Sequence, residues 1–141
     1  MITEIRKLII DENSRNPRGF INGEVDDFIE KFMAHADVFC HYTAGRCDAV
    51  IAFYCNDSSR NLAYVTLMLC APESRGKKIG SSLLEAAIST AFSRGFKLME
   101  LEVDDDNHAA ISMYSKHGFV QKYHENGRYK MTLSLNMAAS P

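Results

Sequence analysis

The sequence predicts a mixed α/β fold in one domain, with a mostly antiparallel central sheet that carries helices on both faces. The chain has 141 residues, of which 46% are apolar and 24% charged, as expected for a single globular domain. Along the chain, the apolar residues change from helical spacing to short strand-like runs and then alternate between the two. Because no repeat, low-complexity tract or linker interrupts it, residues 1–141 are predicted to form a single domain.

The N-terminal third is predicted to be helical. Apolar residues recur at spacings of three and four over residues 2–10 and again over residues 24–36, which is the pattern of a helix with one buried face. The stretch between them, residues 11–23, is rich in Asn, Ser, Pro and Gly and is predicted to be a loop.

Three strands are predicted in the middle of the chain. Short apolar runs at residues 38–43 and 48–55 flank a turn at 44–46, which predicts a hairpin. A second turn, at 56–59, leads into residues 62–70, whose Val, Leu, Tyr and Thr content favours a buried central strand. Strands joined in this way by short turns form an antiparallel meander.

The second half of the chain alternates between helices and strands. Helical spacing over residues 83–92 ends at Gly95, a residue type that commonly terminates helices. A strand is then predicted at 97–103, a short helix at 108–117 and a closing strand at 129–135, where apolar and polar residues alternate.

Charge and cysteine content exclude several classes of function. With 16 basic and 18 acidic side chains the net charge is -2, whereas nucleic-acid-binding domains carry a basic excess. No apolar run approaches the roughly 18 residues of a membrane span or the core of a signal peptide. The four cysteines form no Cys-x-x-Cys pair, so no metal site is predicted and the cytoplasm is the expected location.

The acidic residues 104–106 are expected to act as N-terminal caps and dipole partners of the following helix.

The most informative segment joins the central strand to the next helix. Residues 69–82 run from a buried strand through a turn with two glycines and three basic residues into a helix. A helix N-terminus presents unpaired N–H groups, and glycines let an anion approach the backbone. Neither the P-loop pattern nor the dinucleotide-binding glycine pattern is present. The segment predicts a phosphate site of another kind, with a solvated basic turn as the alternative.

Two motifs in consecutive order resemble the GNAT superfamily of acyl-CoA-dependent N-acyltransferases. Residues 75–80, Arg-Gly-Lys-Lys-Ile-Gly, are similar to the Q/R-x-x-G-x-G/A pyrophosphate loop of that family, with Lys78 in the place of its middle glycine. The family usually opens with a strand where residues 2–10 look helical, so the presence of that strand is left open. The downstream resemblance is carried by Leu101, Val103, Asn107, Ala110, Ile111, Tyr114, Gly118 and Phe119.

The resemblance implies a fold with splayed central strands and acetyl-CoA as co-substrate. Acetyl-CoA would lie where the central strand separates from its parallel neighbour. Backbone groups of the central strand would hold the pantetheine arm, and loop amides would hold the pyrophosphate. The residues implied as cofactor contacts are Met68, Cys70, Arg75, Gly76, Lys77, Lys78, Ile79, Gly80, Ser81, Asn107 and Tyr114.

The resemblance also implies a general acid, whereas the general base is open. Tyr114 would protonate the departing sulfur, and its alternative role is aromatic packing against the sheet. Glu102 is a candidate base because it lies among apolar residues of a strand, where burial would raise its pKa. A structural, hydrogen-bonded role for Glu102, a role for His41 as base, and a chain of waters are the alternatives.

The acceptor is the least determined part of the function. By analogy, we expect transfer of an acetyl group to a primary amine of a small metabolite or amino sugar, by direct attack in a ternary complex. Acetylation of a protein or peptide amine is one alternative, and an acyl-CoA sensor without turnover is another. No nucleic acid and no membrane is expected as a partner, and a homodimer is left open.

Overall fold

The protein is described here by a computed structural model covering residues 2–16 and 24–135. Its helices are α1 (Ile2–Arg15), α2 (Val25–His35), α3 (Ile79–Ser93) and α4 (His108–Lys116), with a short 3-10 turn at Pro72–Ser74. Its strands are β1 (Asp37–Thr43), β2 (Arg46–Tyr54), β3 (Leu62–Cys70), β4 (Leu98–Asp104), β5 (Val120–Glu125) and β6 (Arg128–Ser134).

The described strands form one mixed sheet in the order β1-β2-β3-β4-β6-β5. The first three make the predicted antiparallel meander. Since the chain returns through α3, β4 pairs with β3 in parallel, and β4, β6 and β5 are again antiparallel neighbours. The predicted fold class is therefore confirmed.

Helices cover both faces of the sheet and enclose two clusters of buried side chains. On one face α1 and α2 place Ile5 and Phe32 against Val50 of β2. On the other face α3 and α4 contribute to a cluster that contains Leu84 and Met131. Because β2 is covered on both sides, nearly all of its residues are buried.

Helix α1 is longer than the sequence predicted. It continues to Arg15, so the loop predicted from residue 11 is wrong up to that point, and residues 17–23 of that loop lie outside the described residues. Glu12 is 7% exposed and forms an ion pair with Arg15 in the last turn, a spacing that stabilises helices. In the described residues no strand precedes α1.

Strands β3 and β4 separate halfway along their length. Their pairing begins at Leu62–Leu98 and ends at Val65–Leu101. At the same place Thr66 is the extra residue of a bulge in β3, because Ala52 pairs with Leu67 whereas Phe53 pairs with Val65. A bulge bends a strand and increases its twist. The splayed central strands that were expected are therefore present.

A buried carboxylate connects β1, β2 and the 3-10 turn. Asp48 of β2 is 1% exposed. Its Oδ1 accepts a hydrogen bond from His41 Nδ1 at 2.7 Å, and its Oδ2 accepts from Thr43 Oγ1 at 2.6 Å and Ser74 Oγ at 2.8 Å. Burial alone would raise the pKa of Asp48, but these hydrogen bonds lower it to about 2. The folded protein therefore favours the ionised form of Asp48.

We predict that Asp48 makes the stability of the fold depend on acid pH. Its pKa is lower in the folded chain than the value of about 3.9 in an unfolded one. The stabilisation is thus fully present above about pH 4 and is lost as the pH falls towards about 2. Urea unfolding across this range should show the loss in the wild type and a shallower loss in Asp48→Asn, which starts from a lower stability. Equal pH dependence in the two proteins would contradict this account.

Candidate functional site

The separation of β3 from β4 opens a cleft through the sheet. Its walls are residues 65–69 of β3 and 101–104 of β4, and it is completed by Asn16, Asn107, Tyr114 and Arg128. Four residues that the sequence predicted for the site line this one cleft: Met68, Glu102, Asn107 and Tyr114.

Tyr114 lies on the buried face of α4, at the cleft. It is 5% exposed, and its ring packs against Phe119 with 5.8 Å between the ring centroids. Burial raises the pKa of Tyr114 above its usual range, and the positive charge of Arg128 opposes this only in part. The hydroxyl is protonated at neutral pH, as in an ordinary tyrosine, and burial makes it a weaker acid than an exposed one.

Glu102 is exposed on β4, so the expectation that it is buried is wrong. Its Oε1 accepts a hydrogen bond from the Tyr64 hydroxyl at 3.2 Å. Burial and the nearby charge of Glu102 raise the pKa of Tyr64 to about 12. The buried carboxylate of this strand is Glu100, at 5% exposure, which binds Lys122 Nζ at 3.1 Å. The two carboxylates differ in exposure because Lys122 of β5 contacts Glu100, whereas Glu102 faces the open cleft.

His41, the other candidate base, lies away from this cleft. It is in β1, its Nδ1 is held by Asp48, and it is not among the lining residues. Its role in the structure is to satisfy a buried carboxylate.

Asn107 caps helix α4, and two of the acidic residues before it form ion pairs. Its side-chain oxygen accepts a hydrogen bond from the Ala110 N–H at 3.2 Å, as expected of the residue just before the first helical one. Asp104 instead forms an ion pair with Arg128, with 3.2 Å between Oδ1 and Nε. Asp105 pairs with His124. The side-chain cap of α4 is therefore Asn107, and the expected role of residues 104–106 as partners of the helix dipole stays a prediction.

The turn before α3 and the first three residues of that helix present a row of backbone donors that have no acceptor among the described residues. The N–H groups of residues 76–81 donate no hydrogen bond to the part of the chain that the structure describes. Gly76 has φ +79 and Lys78 has φ +63. Lys78 thus accepts the left-handed conformation that glycine adopts more easily. Such a row of N–H groups at a helix N-terminus suits a phosphate oxygen.

Gly80 lets this helix start approach the cleft. A Cβ atom at residue 80 would lie 3.2 Å from Cε of Met68 on β3, so any larger side chain would have to displace the end of the Met68 side chain. Ser81 in the same turn is hydrogen bonded to His117 Nε2 at 3.0 Å. His117 donates from Nδ1 to the Met113 carbonyl at 2.8 Å, which links the start of α3 to α4.

The Arg75 side chain is engaged with the protein itself. Its Nη2 binds Oε2 of Glu12 at 2.7 Å, and its Nε donates to the Cys70 carbonyl at 3.1 Å. A pyrophosphate contact by this side chain would require breaking that ion pair, which local sequence could not reveal because Glu12 is 63 positions away. Cys70 does not line the cleft. Lys77 and Lys78 are exposed.

Sequence reasoning missed Arg128, Asp104 and Asn16 as residues of the cleft. Asn16 reaches it because α1 is longer than predicted, and its Nδ2 lies 3.4 Å from Oδ2 of Asp104. Arg128 reaches it because β6 pairs with β4 in a register that sets Arg128 opposite Asp104. The alternating pattern of the closing strand does not by itself place Arg128 at the cleft, because the pattern does not give the register of β6 against β4.

The described residues hold no group of His, Cys, Asp or Glu side chains arranged for a metal ion. All four cysteines are free thiols. None of the described helices has both the length and the apolar character needed to cross a membrane.

Comparison with known proteins identifies relatives. A profile described as the acetyltransferase (GNAT) family matches residues 4–119. The chain is 34% identical over 76 residues to an uncharacterized N-acetyltransferase of Methanocaldococcus jannaschii, covering 54% of this chain and 34% of that protein. It is 30% identical over 94 residues to a putative [ribosomal protein bS18]-alanine N-acetyltransferase of Bacillus subtilis, covering 66% of this chain and 61% of that one. The chain thus spans less than two thirds of the length of these relatives.

A solved structure shares the fold. The PaiA N-acetyltransferase of Thermoplasma acidophilum, solved in complex with coenzyme A, superposes with a TM-score of 0.74 at 17% identity, covering 94% of this chain and 92% of that one.

We predict that glycine is tolerated better at residue 78 than at residue 77. A left-handed conformation costs a lysine about 1–2 kcal/mol, whereas glycine gains unfolded-state entropy worth about 0.4–1 kcal/mol. Lys78→Gly should therefore leave the free energy of unfolding unchanged or raise it by about 1 kcal/mol. Lys77→Gly, the control at a position without positive φ, should lower it. Urea denaturation measures both, and a larger loss for Lys78→Gly would refute the assignment of strain.

Proposed function

The chain belongs to the GNAT family of acetyltransferases, and from that premise we propose that it is an N-acetyltransferase with acetyl-CoA as its co-substrate. The observation that carries the proposal is what surrounds β3 beyond the point where it leaves β4. Its free edge and the buried side chain of Tyr114 line the cleft. The N–H groups of residues 76–81, which have no acceptor among the described residues, lie next to this edge, where Gly80 adjoins the Met68 side chain.

The residues at the cleft fit the chemical groups of acetyl-CoA. The N–H groups of residues 76–81 suit the pyrophosphate, with Lys77 and Lys78 adding positive charge. The edge of β3 near Met68, unpaired with β4, suits the amides of the pantetheine arm, as an added strand would. The coenzyme A complex of the T. acidophilum relative supports this choice of co-substrate. When bound, acetyl-CoA supplies an acetyl group activated as a thioester.

Tyr114 is the proposed general acid. The acceptor amine forms a bond to the acetyl carbon while the carbon–sulfur bond breaks, and the leaving sulfur needs a proton. Tyr114 lines the cleft, and its hydroxyl carries a proton at neutral pH. Backbone N–H groups on the β3 edge are the proposed donors to the carbonyl oxygen, where negative charge develops.

Glu102 is the proposed general base. Its carboxylate lines the same cleft, and the hydrogen bond from Tyr64 to Oε1 fixes its orientation. Because Glu102 is exposed, it can receive the amine proton and pass it to water. The amine loses one proton to Glu102 and the sulfur gains one from Tyr114. The protons balance when Glu102 releases its proton to water and the Tyr114 phenolate takes one up from water in the cleft.

Two classes of acceptor are consistent with this chemistry. The first is the primary amine of a small metabolite or amino sugar. The second is the amino group of a protein or peptide, and the name of the B. subtilis relative, a putative ribosomal-protein alanine N-acetyltransferase, favours it. A non-catalytic acyl-CoA sensor is the outcome if the cleft binds acetyl-CoA but no amine reacts.

We predict that Tyr114→Phe lowers kcat by about 100-fold or more, since general acid catalysis commonly contributes about 10²–10⁴-fold. Glu102→Gln should also lower kcat. The measurement is release of the free CoA thiol from acetyl-CoA with a panel of amino sugars, polyamines and peptides that begin with alanine. Neither variant should change KM for acetyl-CoA by more than about twofold, because the lost groups act on the reacting atoms.

Tyr123→Phe is the matched control, because Tyr123 lies on β5, is 47% exposed and is absent from the cleft. It should retain wild-type kcat. Unchanged kcat in Tyr114→Phe would remove Tyr114 from the mechanism. Binding of acetyl-CoA without thiol release from any amine would favour the sensor.

A further inference from the structure

We infer that Asp48 is a positioning residue for the phosphate-binding turn, acting through Ser74. The inference rests on the proposed function, because it assigns a role in binding acetyl-CoA. Asp48 itself is remote from the reacting atoms: it is at the start of β2 and is not among the residues of the cleft.

Asp48 holds both ends of the short segment between β3 and the turn. Its backbone carbonyl accepts a hydrogen bond from the Ala71 N–H at 2.7 Å. Its carboxylate accepts from the Ser74 hydroxyl at 2.8 Å. Ser74 is 5% exposed and stands two positions before Gly76, where the row of free N–H groups begins. The position of that row is thus tied to one residue of the sheet.

The Ser74 contact differs from the other two side-chain contacts of Asp48. His41 and Thr43 belong to the same β1–β2 hairpin as Asp48 and stabilise the carboxylate within it. Ser74 is the one side-chain donor among the described residues that reaches Asp48 from outside that hairpin. Its hydrogen bond therefore fixes the turn relative to the sheet, whereas the other two fix the hairpin.

The adjacent residue is held in the same way from another direction. Arg75 binds the buried carboxylate of Glu12 on α1. Consecutive residues before Gly76 are thus attached to β2 and to α1. A turn restrained before binding loses less conformational freedom when it closes on a ligand, which raises affinity. Loss of the Ser74 contact should therefore weaken acetyl-CoA binding and leave the chemical step intact, because Tyr114 and Glu102 lie on elements that do not touch Asp48.

The test compares Ser74→Ala with Thr43→Val. Each removes one hydroxyl donor from the same oxygen of Asp48, so both should lower the melting temperature by similar amounts. Only Ser74→Ala should raise the Kd for CoA, measured by calorimetry, and the KM for acetyl-CoA. The expected increase is about three- to tenfold, the value of one hydrogen bond, with kcat within about twofold of wild type.

Equal Kd values for CoA in Ser74→Ala and wild type, or equal increases in both variants, would overturn the inference. If Ser74→Ala does not fold, Ser74→Cys, which keeps a weaker donor in nearly the same volume, takes its place with the same expectation. The wild-type titration separates this inference from the proposed function. No CoA binding by the wild type would overturn both, whereas wild-type binding with an unaffected Ser74 variant overturns the inference alone.

Discussion

The structure depends on the departure of β3 from β4 at Thr66. Up to Val65 the two strands share a parallel ladder, and beyond it β3 remains paired with β2 alone. Backbone groups on the free edge must find other partners, because unpaired buried N–H and C=O groups are costly. An extended ligand with amide groups can provide them. The same separation brings β4 and α4 to one opening, and the start of α3 adjoins its β3 wall, where Gly80 lies beside Met68. A single backbone irregularity thus creates the ligand edge and gathers the polar side chains beside it.

Buried hydrogen bonds and ion pairs hold the backbone near this opening, because such contacts are directional and apolar packing is not. Asp48 and Glu12 are nearly inaccessible carboxylates, and each is compensated by several donors, as buried charges require. Asp48 binds Ser74 and Glu12 binds Arg75, the two residues just before Gly76. The turn that follows includes a lysine in a left-handed conformation. The two residues just before the candidate phosphate site are held by contacts that lie outside it.

The sequence was sufficient for most of the fold and for part of the site. The central strand was predicted with the bounds it has, because residues 62–70 form an apolar run, broken only by Thr66, between turn formers. Long-range contacts account for the errors. Composition predicted a loop after residue 10, but the ion pairs of Glu12 accompany a longer helix. Periodicity placed Glu102 among apolar neighbours. It could not show that β3 separates from β4 beside Glu102, which leaves this side chain exposed. The role of Arg75 at the pyrophosphate stays a prediction, and its ion pair with Glu12 was not foreseen because the two residues are 63 positions apart.

Amide hydrogen exchange with and without CoA tests the central claim most directly, namely that the opening between β3 and β4 and the turn before α3 form one ligand site. The account predicts that CoA slows exchange in residues 76–81, whose N–H groups have no acceptor in the described chain, and in β3 beyond Thr66. It predicts no change in α2, which is on the sheet face opposite α3. Saturating CoA that leaves residues 76–81 unprotected, or that protects α2 instead, would contradict it.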